Sequence, residues 1–182
     1  MGAEPTAPSA FFLRHRARLR QAAQLGPILD LACGRGRHSL PCASLGLVTV
    51  SIDRNPDSLD HLRTATRARN QPLRAVRSNL EAGLGIPFRS ETFGAILVFR
   101  FLFRPLAPVL QAALRPGGLL LYETFTERQR SLGLKPSNPA FLLAEGELAG
   151  LFPDLELLEY RELVTDDEWP EAVARLAARR PG

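Results

Sequence analysis

The chain has 182 residues, enough for one hydrophobic core and too few for a separate second domain. Its 45% apolar and 23% charged residues predict a folded soluble protein, and no apolar run approaches the roughly 18 residues that span a bilayer. The 23 basic and 19 acidic residues leave a net charge of +4, but the arginines are spread along the chain, and only Arg14, His15, Arg16, Arg18 and Arg20 form a dense cluster of the kind that docks nucleic acid.

In chain order, Met1–Thr6 matches a loose myristoylation pattern, and the Arg-rich segment Ser9 to Gln24 has the composition of a transit peptide. A surface helix capped by Ser9, ending near Gly26-Pro27 and packing Phe11, Phe12, Leu19 and Leu25, explains the same residues. Residues 1–26 therefore read as an N-terminal arm and helix, and 27–182 as the main domain. Ile28 to Ala32 is a short apolar run between Pro27 and Gly34, the pattern of a strand buried on both faces. A helix from Arg37 to Leu45 stops at Gly46, with Pro41 tolerated in its first turn.

Leu47 to Ile52 is the second strand and ends at Asp53; Asn55-Pro56 then opens a helix with Leu59, Leu62 and Ala65 on one face. Leu73 to Arg77 is a third strand, followed by a glycine-bearing loop through Pro87, and Phe93 to Phe101 is the most hydrophobic strand. A helix from Pro105 to Leu114 leads through Arg115-Pro116-Gly117-Gly118 into the strand Leu119 to Thr124. Residues 126 to 139 read as a polar loop, Leu142 to Leu151 as a helix, and Leu155 to Leu163 as a strand. Helix propensity assigns Ala172 to Arg179 to a helix.

Strands alternating with helices predict an open α/β fold with a mostly parallel sheet. Ligands in such folds bind beyond the carboxyl ends of the strands, near the point where strand order reverses. That rule selects Cys33 to Arg37, Asp53 to Asn55 including Arg54, Ser78 to Glu81, Phe99 to Phe103, and Thr124 to Glu127. Within them, Gly34 and Gly36 suit a backbone that turns sharply out of a strand and approaches a ligand, and Asp53 suits a ribose diol. Capping of the next helix is the competing role for Asp53.

Three glycine-loop chemistries compete at Gly34-Arg35-Gly36. A P-loop needs a Gly-Lys-Ser/Thr that is missing, and a dinucleotide site needs a third glycine where Ser39 stands. Leu29 to Gly36, Asp53, Asn79-Leu80, Phe93 to Val98 and Leu114 to Leu119, taken together and in this order, resemble the motifs of the class I S-adenosylmethionine-dependent methyltransferases. Gly34 to Leu40, Tyr122-Glu123-Thr124-Phe125 and Asn138 to Leu143 are similar to the small tellurite-resistance-type group and its uncharacterised bacterial relatives.

The resemblance implies one Rossmann-like domain with a seven-stranded, mostly parallel sheet, helices on both faces, and Ala172 to Arg179 as an antiparallel C-terminal strand. It implies S-adenosyl-L-methionine as cofactor, with Asp30 orienting the methionine end and Asn79 and Leu80 flanking adenine. With the strand-end positions, the cofactor set is Asp30, Ala32, Cys33, Gly34, Gly36, Asp53, Arg54, Asn79, Leu80 and Phe99. No metal is called for.

The catalytic candidates are Arg100, Glu123 and His38. Arg100 has three competing roles: binding an anionic substrate, binding the cofactor carboxylate, or reaching solvent. His38 is either a general base or a surface residue at a helix start, and Glu123, with Tyr122 and Thr124, follows the fifth strand near the acceptor. Cys33 and Cys42 read as small buried residues in a reducing, cytoplasmic setting. A bare domain of this kind predicts a small-molecule methyl acceptor. The alternatives are an RNA or protein acceptor reached with a partner, and a cofactor-binding protein without catalysis.

Overall fold

The protein is described by a computed structural model covering residues 7–82, 86–165 and 170–182. The Met1–Thr6 pattern and part of the loop before Pro87 lie outside the described residues. Seven strands, β1 (Ile28–Leu31), β2 (Thr49–Asp53), β3 (Leu73–Arg77), β4 (Phe93–Phe99), β5 (Leu114–Phe125), β6 (Glu156–Val164) and β7 (Ala172–Arg179), form one sheet in the order β3-β2-β1-β4-β5-β7-β6. The β1–β2, β2–β3, β1–β4 and β4–β5 pairs are parallel, and β7 runs antiparallel to both of its neighbours.

Period-two alternation sorts the central side chains onto two faces. Leu29, Leu31, Ile96, Val98, Leu120, Tyr122, Leu176 and Ala178 join the larger core, whereas Ile28, Ala95, Leu97, Phe99, Leu119, Leu121 and Ala177 meet the N-terminal helices. β7 carries four alanines that favour a helix, yet insertion between β5 and β6 gives it hydrogen-bonding partners on both edges, and that pairing overrides propensity.

The N-terminal segment forms two helices, not one: α1 (Ala10–Arg14) and α2 (Arg16–Ala22). The Ser9 side chain caps α1 by accepting from the Phe12 amide. The break falls at His15, whose buried ring reaches Glu159 on β6. Phe11, Phe12 and Leu19 are buried as expected, but Leu25 is exposed. α2 approaches β4 closely at Gly94, where a Cβ would stand 2.0 Å from the Ala22 carbonyl oxygen.

The glycine turn leads into α3 (Ser39–Ser44), and Asn55 caps α4 (Pro56–Arg67), accepting from the Asp57 amide at 2.9 Å. α5 (Ala107–Ala113) follows a 3-10 turn at Arg104–Leu106. β4 ends at Phe99, two residues before the predicted Phe101, because Arg100 takes a left-handed backbone with φ of 57°.

The predicted loop 126–139 contains a short helix, α6 (Arg128–Ser131). The predicted Leu142–Leu151 helix is reduced to α7 (Glu147–Gly150). Leu142 and Leu143 are instead extended and buried: the Leu143 amide donates to the Phe125 carbonyl, and its own carbonyl accepts from Glu127. That prolongation of the sheet holds the Leu132–Phe141 stretch over the strand ends. Among the described residues no helix is long and apolar enough to cross a membrane.

Candidate functional site

Strand order reverses between β1 and β4, and a cavity of about 390 Å³ opens at their carboxyl ends. Two of the lining residues, Ala32 after β1 and Arg100 after β4, hold left-handed backbones at φ of 52° and 57°. Such conformations cost a non-glycine residue roughly 1 to 2 kcal/mol.

Asp53 lines the cavity from the end of β2. Its Oδ2 accepts from the Gly34 amide and its Oδ1 from the Asn55 amide, both at 2.8 Å. Each carboxylate oxygen has two lone pairs, so one acceptor site remains on each for a diol. The turn fixes the acid, and the acid caps the turn, whereas the cap of α4, the competing role read for Asp53, is supplied by Asn55. Ser78, Asn79 and Leu80 form the adjacent wall, and Arg54 bridges to Glu81 at 2.9 Å across its rim.

Gly36 has a packing role that the sequence did not show: at φ of 83° its missing Cβ faces Leu62 of α4, 2.1 Å from Cδ2, so the glycine seats that helix against the turn. Gly34 meets the site through its amide.

Asp30 is buried among Ser39 and Ser51 and does not line the cavity. The Ser39 hydroxyl donates to Asp30 Oδ2 and accepts from the Ser51 hydroxyl at 2.8 Å. Burial pushes the Asp30 carboxyl up to about 7 against the opposing pull of those Ser39 hydrogen bonds. Ser39, which replaces the third glycine of a dinucleotide loop, is thus the partner that makes a buried acid tolerable.

His38 is neither exposed nor in the cavity lining. Its ring lies 3.8 Å from that of Phe99 and 5.0 Å from that of Phe12, and its Nε2 accepts from the Ser9 amide. Burial, with Arg37 and Arg100 nearby, pushes its pKa down to about 2, which leaves it a neutral core aromatic with its acceptor nitrogen engaged. Phe99 shares that environment, away from the cavity lining. Cys33 and Cys42 are buried free thiols; burial pushes Cys42 up to about 12 and Cys33 higher still, so neither serves as a nucleophile.

Glu123 points to the face of α1 and α2, where its Oε2 meets Arg175 at 2.6 Å across the β5–β7 pair and its Oε1 meets Arg37 at 3.9 Å. It organises arginines beneath the cavity and does not line it. Arg100 does line it, next to Phe101, Leu102 and Thr124, and forms an ion pair with Glu171. Pro136 and Phe141, beyond the expected set, close the far side. The Asn138–Leu143 similarity was the sequence signal for Phe141, and Pro136 stood only in the loop read over 126 to 139.

The chain matches the family described as methyltransferase domain over residues 28–118. It is 33% identical over 149 residues to an uncharacterized RNA methyltransferase of Parasynechococcus marenigrum, covering 78% of this chain and 31% of that one. It is 29% identical over 140 residues to the probable S-adenosyl-L-methionine-dependent methyltransferase TehB of Haemophilus influenzae, covering 74% of this chain and 48% of that one. The chain therefore spans half or less of the length of these relatives. The crystal structure of H. influenzae TehB superposes with a TM-score of 0.72 at 23% identity, over 91% of this chain and 62% of that one. A methyltransferase from Methanosarcina mazei superposes with a TM-score of 0.72 at 19% identity, over 90% of this chain and 97% of that one.

Proposed function

The chain belongs to the class I S-adenosylmethionine-dependent methyltransferase family, and from that premise we propose that it transfers a methyl group to a small-molecule acceptor in the cavity between β1 and β4. The observation that carries this reading is the cavity's make-up. A capped acid, Asp53, stands on one side, an apolar wall of Phe101, Leu102 and Phe125 on the other, and Pro136 and Phe141 narrow the mouth.

The residues fit the cofactor. Asp53 keeps two free acceptor sites for the ribose hydroxyls, and Asn79 and Leu80 offer a polar edge and an apolar face for the adenine. S-adenosylmethionine supplies a methyl group on a sulfonium, whose departure needs no general acid. The protein's work is then to orient the acceptor and exclude water, which supplies roughly 7 to 11 kcal/mol in well-oriented reactions. With His38 buried and its acceptor nitrogen engaged, and Glu123 held by arginines, positioning carries this reading and no side-chain base is assigned.

Incubating the protein with radiolabelled S-adenosylmethionine and a cell extract, then separating metabolites from macromolecules, tests it. Label in the metabolite fraction is expected; label confined to RNA or protein refutes the small-molecule acceptor.

An RNA acceptor is the second reading, favoured by the exposed Arg16, Arg18 and Arg20 on α2 and by the relative named as an RNA methyltransferase. It predicts salt-dependent RNA binding that is lost when these three arginines become glutamine. Deleting the segment instead would remove the buried Phe11, Phe12 and Leu19.

A further inference from the structure

We propose that the acceptor is an organic monocarboxylate, its carboxylate held by Arg100 and its apolar body by Phe101, Leu102, Phe125 and Phe141, an assignment that rests on the methyl-transfer reading above.

The first observation is charge. Arg37, Arg100 and Arg175 converge with only Glu123 and Glu171 among the described residues, and every one of these side chains is 28% exposed or less. Glu123 is shared between Arg175 and Arg37, and Glu171 is taken by Arg100. Asp30 also acts on Arg37, but it is hydrogen-bonded to Ser39 and burial leaves it about half protonated at neutral pH. Among the described residues the cluster holds up to one surplus positive charge beside a cavity. A monoanion balances that surplus, whereas a dianion such as a phosphate monoester overshoots it. Desolvated charges of this kind are costly unless paired.

The second observation is unused donors. A guanidinium carries five N–H groups. Among the described residues the Arg100 guanidinium makes one ion pair, with Glu171, and lies 6.0 Å from the Phe125 ring centroid, and its Nε is buried without a hydrogen-bond partner. The hydroxyl of Thr124, another lining residue, is buried and unpartnered as well. The Nε is shielded, so a ligand meets the terminal nitrogens; the orphan shows that the described residues supply fewer acceptors than this side chain can use.

The third is placement. The Arg100 amide donates to the Glu123 carbonyl at 2.8 Å, fixing a left-handed residue at the strand reversal with its side chain on the cavity. A guanidinium matches a carboxylate with two parallel hydrogen bonds. The four apolar residues would go unused by an inorganic anion, and Phe141 is 43% exposed at the mouth.

Calorimetry on the full chain saturated with S-adenosylhomocysteine tests this with benzoate and hexanoate against benzamide and hexanamide. The acids are expected to bind at least about tenfold tighter than their amides, the scale of one charged hydrogen bond. Arg100→Met should shrink that preference to under about twofold and leave the S-adenosylhomocysteine affinity within about twofold. The acid-to-amide ratio on the unmodified protein decides the matter even if the variant does not fold.

Equal binding of acid and amide, failure of both acids to bind, or displacement of benzoate by inorganic phosphate at equal concentration overturns the monocarboxylate. Loss of S-adenosylhomocysteine binding in an Arg100→Met protein that keeps the parent's circular dichroism and melting transition overturns it in favour of the cofactor carboxylate. Unmodified protein that does not bind S-adenosylhomocysteine overturns the methyl-transfer reading itself, and this proposal with it.

Discussion

Replacing Gly36 by alanine should destabilise the protein by about 2 to 5 kcal/mol. Two terms add. A side chain at φ of 83° costs roughly 1 to 2 kcal/mol, because Cβ crowds the following carbonyl. The new methyl would also stand 2.1 Å from Leu62 Cδ2 and 3.1 Å from its Cγ. Leu62 is fully buried on α4 and has no open space to swing into, so the overpacking term is about 1 to 3 kcal/mol. For a chain of this size the sum lowers the melting temperature by roughly 5 to 15 °C in a calorimetric scan. Leu62→Ala removes the clash but not the backbone strain. In a double-mutant cycle with Gly36→Ala, the pair should therefore be less destabilised than the sum of the singles by about 1 to 3 kcal/mol. A Gly36→Ala protein that melts with the parent, or strict additivity in the cycle, would refute the packing role and leave Gly36 with ligand approach alone.

Three further outcomes follow from the site. Asp53→Ala should weaken S-adenosylhomocysteine binding by about 1.5 to 3 kcal/mol in calorimetry, the worth of hydrogen bonds to a charged group; unchanged affinity removes Asp53 from the ribose. Asp30 has its folded-state pKa raised from 3.8 to about 7, so its contribution is full below about pH 4 and is lost as pH rises toward 7. Asp30→Asn should accordingly match the parent at the acid end of that range and exceed it by an amount of order 4 kcal/mol above it; parallel stability–pH curves would show that Asp30 does not titrate there. Glu123→Ala strands Arg175, and partly Arg37, in a buried setting and should cost about 3 to 5 kcal/mol in denaturant unfolding, with a loss under about 1 kcal/mol marking the pair as solvated.

Much of the fold was legible because its signals are local. β1 is an apolar run between Pro27 and Gly34, β2 ends just before Asn55-Pro56, β4 is the most hydrophobic segment, and the carboxyl-end rule leads from these strands to Asp53, Arg54, Asn79, Leu80 and Arg100 at one cavity. β7 was legible only through the family resemblance, since its alanines favour a helix until β5 and β6 flank it. The Leu142–Leu151 helix failed for the same reason: pairing of Leu143 with Phe125 and Glu127 outbid its periodicity.

The sequence by itself determined the chain order of β1 to β5 and, to within two residues, where each of them ends, because apolar runs and side-chain alternation are written in it, and with them the turn, the acid that faces it and the family. Only the tertiary structure decided what those residues touch. Asp30 and Glu123 sit on strands whose ends form the site, yet the two-residue period turns both toward the N-terminal face, where Ser39 and the arginines receive them. Gly36 faces Leu62, and His38 faces Phe12 and Phe99. Packing partners come from segments tens of residues away, and no local pattern encodes their approach.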